Sequence, residues 1–146
     1  MKVFIKMSVN KSDRTDKSEL CYLAEQAEYK IIKMTMNEKY FPKRARFIIT
    51  NQIIDSVMSM ANNMNIANSI FPNTEEKVKI REQYQYIGRG NLNSLESQLN
   101  LANKLFNIPS GVLDEIFVIL KEIKSRYSNW VKSGRKVLNR ELKKVK

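Results

Sequence analysis

Apolar residues return at spacings of three and four over four long stretches of the chain, and three prolines mark the gaps between them. In an α-helix such spacing gathers apolar side chains on one face, so each stretch predicts an amphipathic helix. The first covers 18–37: Ser18 stands as N-cap with Glu19 in the first turn, and Leu20, Ala24, Ala27, Ile31 and Met34 form the stripe. The second covers 42–70 and carries two adjoining stripes, Phe47, Ile54, Met58 and Ala61 beside Ile53, Val57, Met60, Met64 and Ala67. So wide a face predicts burial on two sides, against two bundle neighbours or against another subunit. The third covers 74–106 from a Thr74 cap, with Ile80, Tyr84, Ile87, Leu92, Leu95, Leu99, Ala102 and Phe106 as its core stripe. The fourth covers 110–135, with Val112, Ile116, Ile119, Ile123 and Trp130 flanked by Leu113, Phe117, Leu120, Tyr127 and Val131.

Phe41-Pro42, Phe71-Pro72 and Ile108-Pro109 separate these stretches. Proline biases the residue before it away from helix yet suits the first turn of a new one. Four helices and three sharp turns predict an all-α fold, an antiparallel up-down four-helix bundle over residues 18–135. A mobile N-terminal arm, 1–17, precedes it and a basic C-terminal tail, 136–146, follows. Gly88 and Gly90 interrupt the third helix at about 1 kcal/mol each. They fit close helix packing or a kink on one reading and approach to a phosphate on another. No strand precedes them, so they are not a nucleotide-binding loop. The methionines at 34, 58, 60 and 64 fit adaptable core filling.

The excess of positive charge points to a partner. The 146 residues suit one domain, but 26 Lys+Arg against 15 Asp+Glu, with no histidine, leave a formal charge of +11. An anionic partner is the first expectation, and RNA or DNA comes before a membrane because no segment is apolar for long enough to span one. Lys43, Arg44 and Arg46 crowd the start of the second helix, where the macrodipole favours acids. Residues 121–146 hold ten cations against two acids. With Arg89 between its two glycines, the candidate nucleic-acid-binding residues are Lys43, Arg44, Arg46, Arg89, Arg126, Lys132, Arg135 and Lys136. The plainer reading of each is a solvated surface side chain. In an up-down bundle the start of helix two and the end of helix four lie at opposite ends, which predicts two basic sites.

Cys21 is the single cysteine and histidine is absent, which excludes an internal disulfide, a cysteine/histidine zinc site and Ser-His-Asp or Cys-His centres. Acid–base work would fall to carboxylates such as Glu25, Glu28, Glu96 or Glu122, and a di-iron site built on Glu-x-x-His is impossible. The expectation is therefore a protein that is not an enzyme and uses no cofactor or metal. No helix-turn-helix, RRM or zinc-finger pattern is present, and Tyr84, Tyr86 and Trp130 do not form a stacking series. Met1–Lys6 is too short and too lysine-rich for a signal peptide, so a cytoplasmic location is expected.

Phe41-Pro42-Lys43-x-x-Arg46-Phe47, followed by a long helix with Gln52-Ile53, resembles the four-helix-bundle family encoded within 23S rRNA intervening sequences. Ser94-Leu95-Glu96-x-x-Leu99-x-Leu101-Ala102 and Asn129-Trp130-Val131-Lys132-Ser133 resemble the superfamily's other branch, the accessory variability protein (Avd) of diversity-generating retroelements. The likeness covers residues 18–135. It implies a bundle assembled as a ring-shaped homopentamer with a basic surface and no catalytic residues. In the Avd-like branch it also implies a reverse transcriptase partner together with template RNA, and the Trp-Val-Lys-Ser ending favours that branch. Where many relatives carry a small, glycine-containing run before the tryptophan, this chain has Lys124-Ser125-Arg126-Tyr127-Ser128-Asn129, which keeps the intervening-sequence branch, of undefined role, in view. A protein-interaction module docking an acidic partner is the remaining class.

Overall fold

The computed structural model describes residues 16–145, and among them every regular element is helical. The four main helices are α1 (Asp16–Thr35), α2 (Asn51–Ser69), α3 (Glu75–Leu105) and α4 (Ser110–Val145). α1 packs against α2 and α4, and α3 packs against the same two. Each helix thus turns its apolar stripe toward two neighbours, and one contiguous core forms between them. Leu20, Ile31, Ile53, Met60, Met64, Leu92, Leu95, Leu99, Leu120 and Ile123 are fully buried in it.

α1 starts two residues before the expected Ser18 cap and ends at Thr35. The arm expected over 1–17 falls largely outside the described residues. Beyond Thr35 the chain tightens through Tyr40 N–H and Phe41 N–H bonds to the Asn37 carbonyl. Phe41 is buried there, its ring edge-on to Phe106 at 5.3 Å.

The expected continuous helix from Pro42 does not form. Pro42, at φ −60°, caps a short 3-10 turn, Lys43–Ala45, and a π-turn, Arg46–Thr50, follows before α2 begins. Neither turn has a side-chain cap, and the wider π geometry brings Ile49 and Thr50 to the core. Phe47, expected in the core, is instead 84% exposed. Of the flanking stripe it heads, Ile54 is half-buried, Met58 exposed and Ala61 buried, whereas Ile53, Val57, Met60, Met64 and Ala67 are all buried as expected.

α3 opens on its expected cap, the Thr74 hydroxyl accepting from Lys77 N–H at 3.1 Å, with Glu75 and Glu76 suiting the dipole of the first turn. Its inward stripe differs from the expected one upstream of Leu92. Stepping back from Leu92 at helical spacing reaches Gly88, Gln85, Arg81 and Val78, and these are the buried residues. Ile80 and Ile87, expected in the core, lie on a neighbouring face and are 40% and 52% exposed. Gly88 serves close packing: a Cβ there would sit 2.8 Å from Tyr127 Oη and 3.4 Å from Met64 Cγ.

α4 draws one seam from its two expected stripes. Leu113, Ile116, Leu120, Ile123, Tyr127, Trp130, Gly134 and Leu138 are buried at alternating three- and four-residue steps, apart from the last. Leu138 continues that inward face past the expected helix end at 135, and the helix runs on to Val145 through most of the segment expected to be a tail.

Candidate nucleic-acid interface

Because α4 buries one narrow seam, its opposite side faces solvent along its whole length. Lys121, Lys132, Lys136, Arg140 and Lys143 fall on that side. All are exposed, and none makes an ion pair with the described residues. Lys132, Lys136 and Arg140 follow one another every four residues, about 6 Å apart along the axis. Solvated ammonium and guanidinium groups in such a row can contact successive phosphates without rearranging the fold.

The arginines flanking this ridge are differently placed. Arg126 binds Glu122 Oε2 at 2.7 Å within α4 and Glu19 Oε1 at 2.8 Å on α1. Arg135 reaches α3, with Nη1 2.6 Å from Glu75 Oε2 and Nη2 3.3 Å from Glu82 Oε1. Hydrogen bonds to Glu122 and then Glu19 hold the Arg126 guanidinium above its ordinary pKa, and those to Glu75 and then Glu82 do the same for Arg135. These two arginines tie α4 to its neighbours. Lys124 to Glu96 at 3.1 Å and Lys30 to Glu115 at 2.6 Å add further ties.

Lys43, Arg44 and Arg46 lie at the other end of the molecule. Phe41 touches Phe106 just before them, and an open groove of about 660 Å³ runs between Lys33, Asn37 and Tyr40 on one side and Pro109, Val112 and Glu115 on the other. Arg135, by contrast, meets the first residue of α3. The structure therefore keeps the two basic clusters apart. Lys43 is 3.5 Å from Glu38, while Arg44 and Arg46 are exposed beside the equally exposed Phe47 and Ile48. Arg89 is exposed midway along α3, next to the packed Gly88, and joins neither cluster.

Sequence reasoning passed over one group. Arg81 is 1% exposed and Gln85 is fully buried; the Arg81 guanidinium lies over Trp130 of α4, and the Gln85 backbone carbonyl accepts from Tyr127 of the same helix. The signal was Gly134, the one position in the α4 seam without a side chain, since a Cβ built there would run into Arg81 Nη1. Among the described residues no cluster of three or more His, Cys, Asp or Glu could hold a metal ion, and no helix is long and apolar enough to cross a membrane. Compared with protein-family models, with curated proteins and with solved structures, the chain gives no significant match.

Proposed function

We propose that this chain is a non-catalytic accessory protein that binds RNA or DNA through phosphates. The observation that carries the reading is the exposed ridge of Lys132, Lys136, Arg140 and Lys143 on α4, free of ion pairs with the described residues. Phosphate contacts of that kind give affinity that depends on salt and little on sequence. The resemblance of 94–102 and 129–133 to the Avd branch adds a reverse transcriptase partner and template RNA to the proposal, while 41–47 resembles the intervening-sequence branch; the single cysteine suits a cytoplasmic setting. An antiparallel up-down arrangement is supported by the pairing of Glu19 with Arg126 and of Lys30 with Glu115. A ring-shaped homo-oligomer, five subunits by the same resemblance, is supported by Ile80, Ile87, Leu101 and Leu105, all exposed on α3.

The test is fluorescence anisotropy with labelled single-stranded RNA and duplex DNA over a range of salt, with unrelated RNA as competitor. Binding that falls linearly in log K against log salt, and that unrelated RNA displaces, supports the reading. Absence of binding at low salt refutes it. A second reading, docking of an acidic protein, is favoured by Phe47 and Ile48 standing exposed beside Arg44 and Arg46. Unrelated RNA would fail to displace such a partner.

A further inference from the structure

Arg81 points into the interior rather than toward the solvent its charge prefers. Its side chain is 1% exposed, and Nε, Nη1 and Nη2 have no hydrogen-bond partner among the described residues. The guanidinium lies over the Trp130 ring, 5.7 Å from its centroid, and against Gly134, with Pro72 behind. Trp130 is itself 1% exposed and its Nε1–H is also without a partner among the described residues. One helical turn along α3 from Arg81, the buried Gln85 has neither its amide nitrogen nor its amide oxygen bonded among the described residues. Its backbone carbonyl accepts from Tyr127, which packs edge-on against Trp130 at 5.2 Å. The carboxylate nearest in sequence, Glu82, is engaged by Arg135 at the surface.

Leaving a buried charge and several donors unpaired carries a large desolvation cost, and burial does press the Arg81 pKa down from its usual value, Glu82 and Cys21 opposing. The unpaired atoms are strongly unbalanced. A guanidinium offers five N–H donors, the indole one and the Gln85 amide two, against a single unpaired acceptor in Gln85 Oε1. Water would have to place its own hydrogens on acceptors and fits such a set poorly. An anion accepts from every side. One internal cation is neutralised by one negative charge, whereas a divalent anion would bury an excess charge of its own.

We propose that Arg81, Gln85 and the Trp130 indole form an internal site between α3 and α4 for a small monovalent inorganic anion of the chloride class. The site does not depend on nucleic-acid binding. The anion links the two helices at the point where the α4 seam has no side chain, with Arg81 supplying the charge and Gln85 and Trp130 the neutral donors.

Trp130 is the only tryptophan of the chain and so reports on the site by itself. Protein in gluconate salt, at fixed ionic strength, is titrated with chloride, bromide, iodide or nitrate while thermal midpoint and tryptophan emission are followed. Chloride should raise the midpoint saturably, by on the order of 3–6 °C for a domain of this size. Iodide should quench Trp130 saturably, and chloride should relieve the quenching, although acrylamide, a neutral collisional quencher, barely reaches the buried ring. Arg81→Met should abolish both responses, while Lys104→Gln, which removes an exposed cation outside both basic clusters, should keep both. Sulfate should raise the midpoints of wild type and Arg81→Met alike through exclusion from the surface. Should Arg81→Met fail to fold, Gln85→Leu keeps the charge and removes one donor, and it should move half-saturation upward by roughly tenfold. Iodide quenching that rises linearly without saturation, or a chloride response equal in wild type and Arg81→Met, overturns the proposal. So does an unchanged half-saturation in folded Gln85→Leu.

Discussion

Neutralising Lys132, Lys136 and Arg140 together to glutamine separates a binding surface from a merely solvated one. Each is exposed and none has an ion pair with the described residues, so no internal contact is lost. Their i,i+4 spacing sets like charges one turn apart, and removing two such pairs should, if anything, favour the helix by about 0.2–0.5 kcal/mol each. If each side chain meets one phosphate, the slope of log K against log salt should fall by about 0.7–0.9 per contact, or roughly 2–3 in all. Between about 50 and about 200 mM salt the wild type should then lose roughly 20- to 40-fold more affinity than the variant. Anisotropy titrations at four salt concentrations, with a thermal melt beside each, give both quantities. Arg126→Gln and Arg135→Gln should behave otherwise: each leaves two carboxylates without their partner, so the melt should move more and the slope less. An unchanged slope in the folded triple variant would mean that the α4 charge serves solubility. A slope that falls only in the Arg126 and Arg135 variants would put binding on a different face.

Leu95, wholly buried in the core, should cost about 2–5 kcal/mol on truncation to alanine, read as a shift in the denaturant midpoint. Burial presses the Tyr127 phenol above its ordinary pKa of about 10, so folded protein keeps a proton that the unfolded chain releases. Its stabilising contribution should be complete below that pH and decline above it, and urea titrations should show the gap between wild type and Tyr127→Phe narrowing as pH rises through that value. Light scattering at modest salt should give a mass well above the 17.1 kDa of one chain, and a sharp monomer would refute the oligomer.

The helices were legible wherever apolar periodicity and packing agreed. Ile53, Val57, Met60 and Met64 form a stripe that any burial of α2 must use, and the Thr74 cap is a local signal with a local cause. At the start of α3 the two disagree. Ile80 and Ile87 are the obvious apolar pair, yet the register set by Leu92, Leu95 and Leu99 turns Arg81 and Gln85 inward. Propensity cannot reveal that, because the space Arg81 fills is created by Gly134, 53 residues downstream. The π-turn before α2 was illegible for a related reason, since no residue in 46–50 marks it and packing of Ile49 and Thr50 decides it. The cations were legible as a total but not as a division. Arg126 and Arg135 look no different from Lys132 and Lys136 until tertiary structure brings Glu19, Glu75 and Glu82 beside them.

That division also distinguishes the two basic clusters in the reach they offer the proposed nucleic-acid partner. A single exposed cation on a phosphate contributes little, and useful affinity comes from several contacts in register. From Lys121 to Lys143 the α4 ridge extends about 33 Å at the rise of an α-helix, long enough to track a strand over many phosphates. The 43–46 cluster occupies one 3-10 turn and the start of a π-turn, and Lys43 already leans toward Glu38. Its neighbours Phe47 and Ile48 are among the most exposed large apolar side chains described, a composition that suits a protein surface better than a sugar-phosphate backbone. Reversing Lys43, Arg44 and Arg46 to glutamate should therefore disturb partner docking first, whereas the salt-dependent hold on RNA or DNA should follow α4.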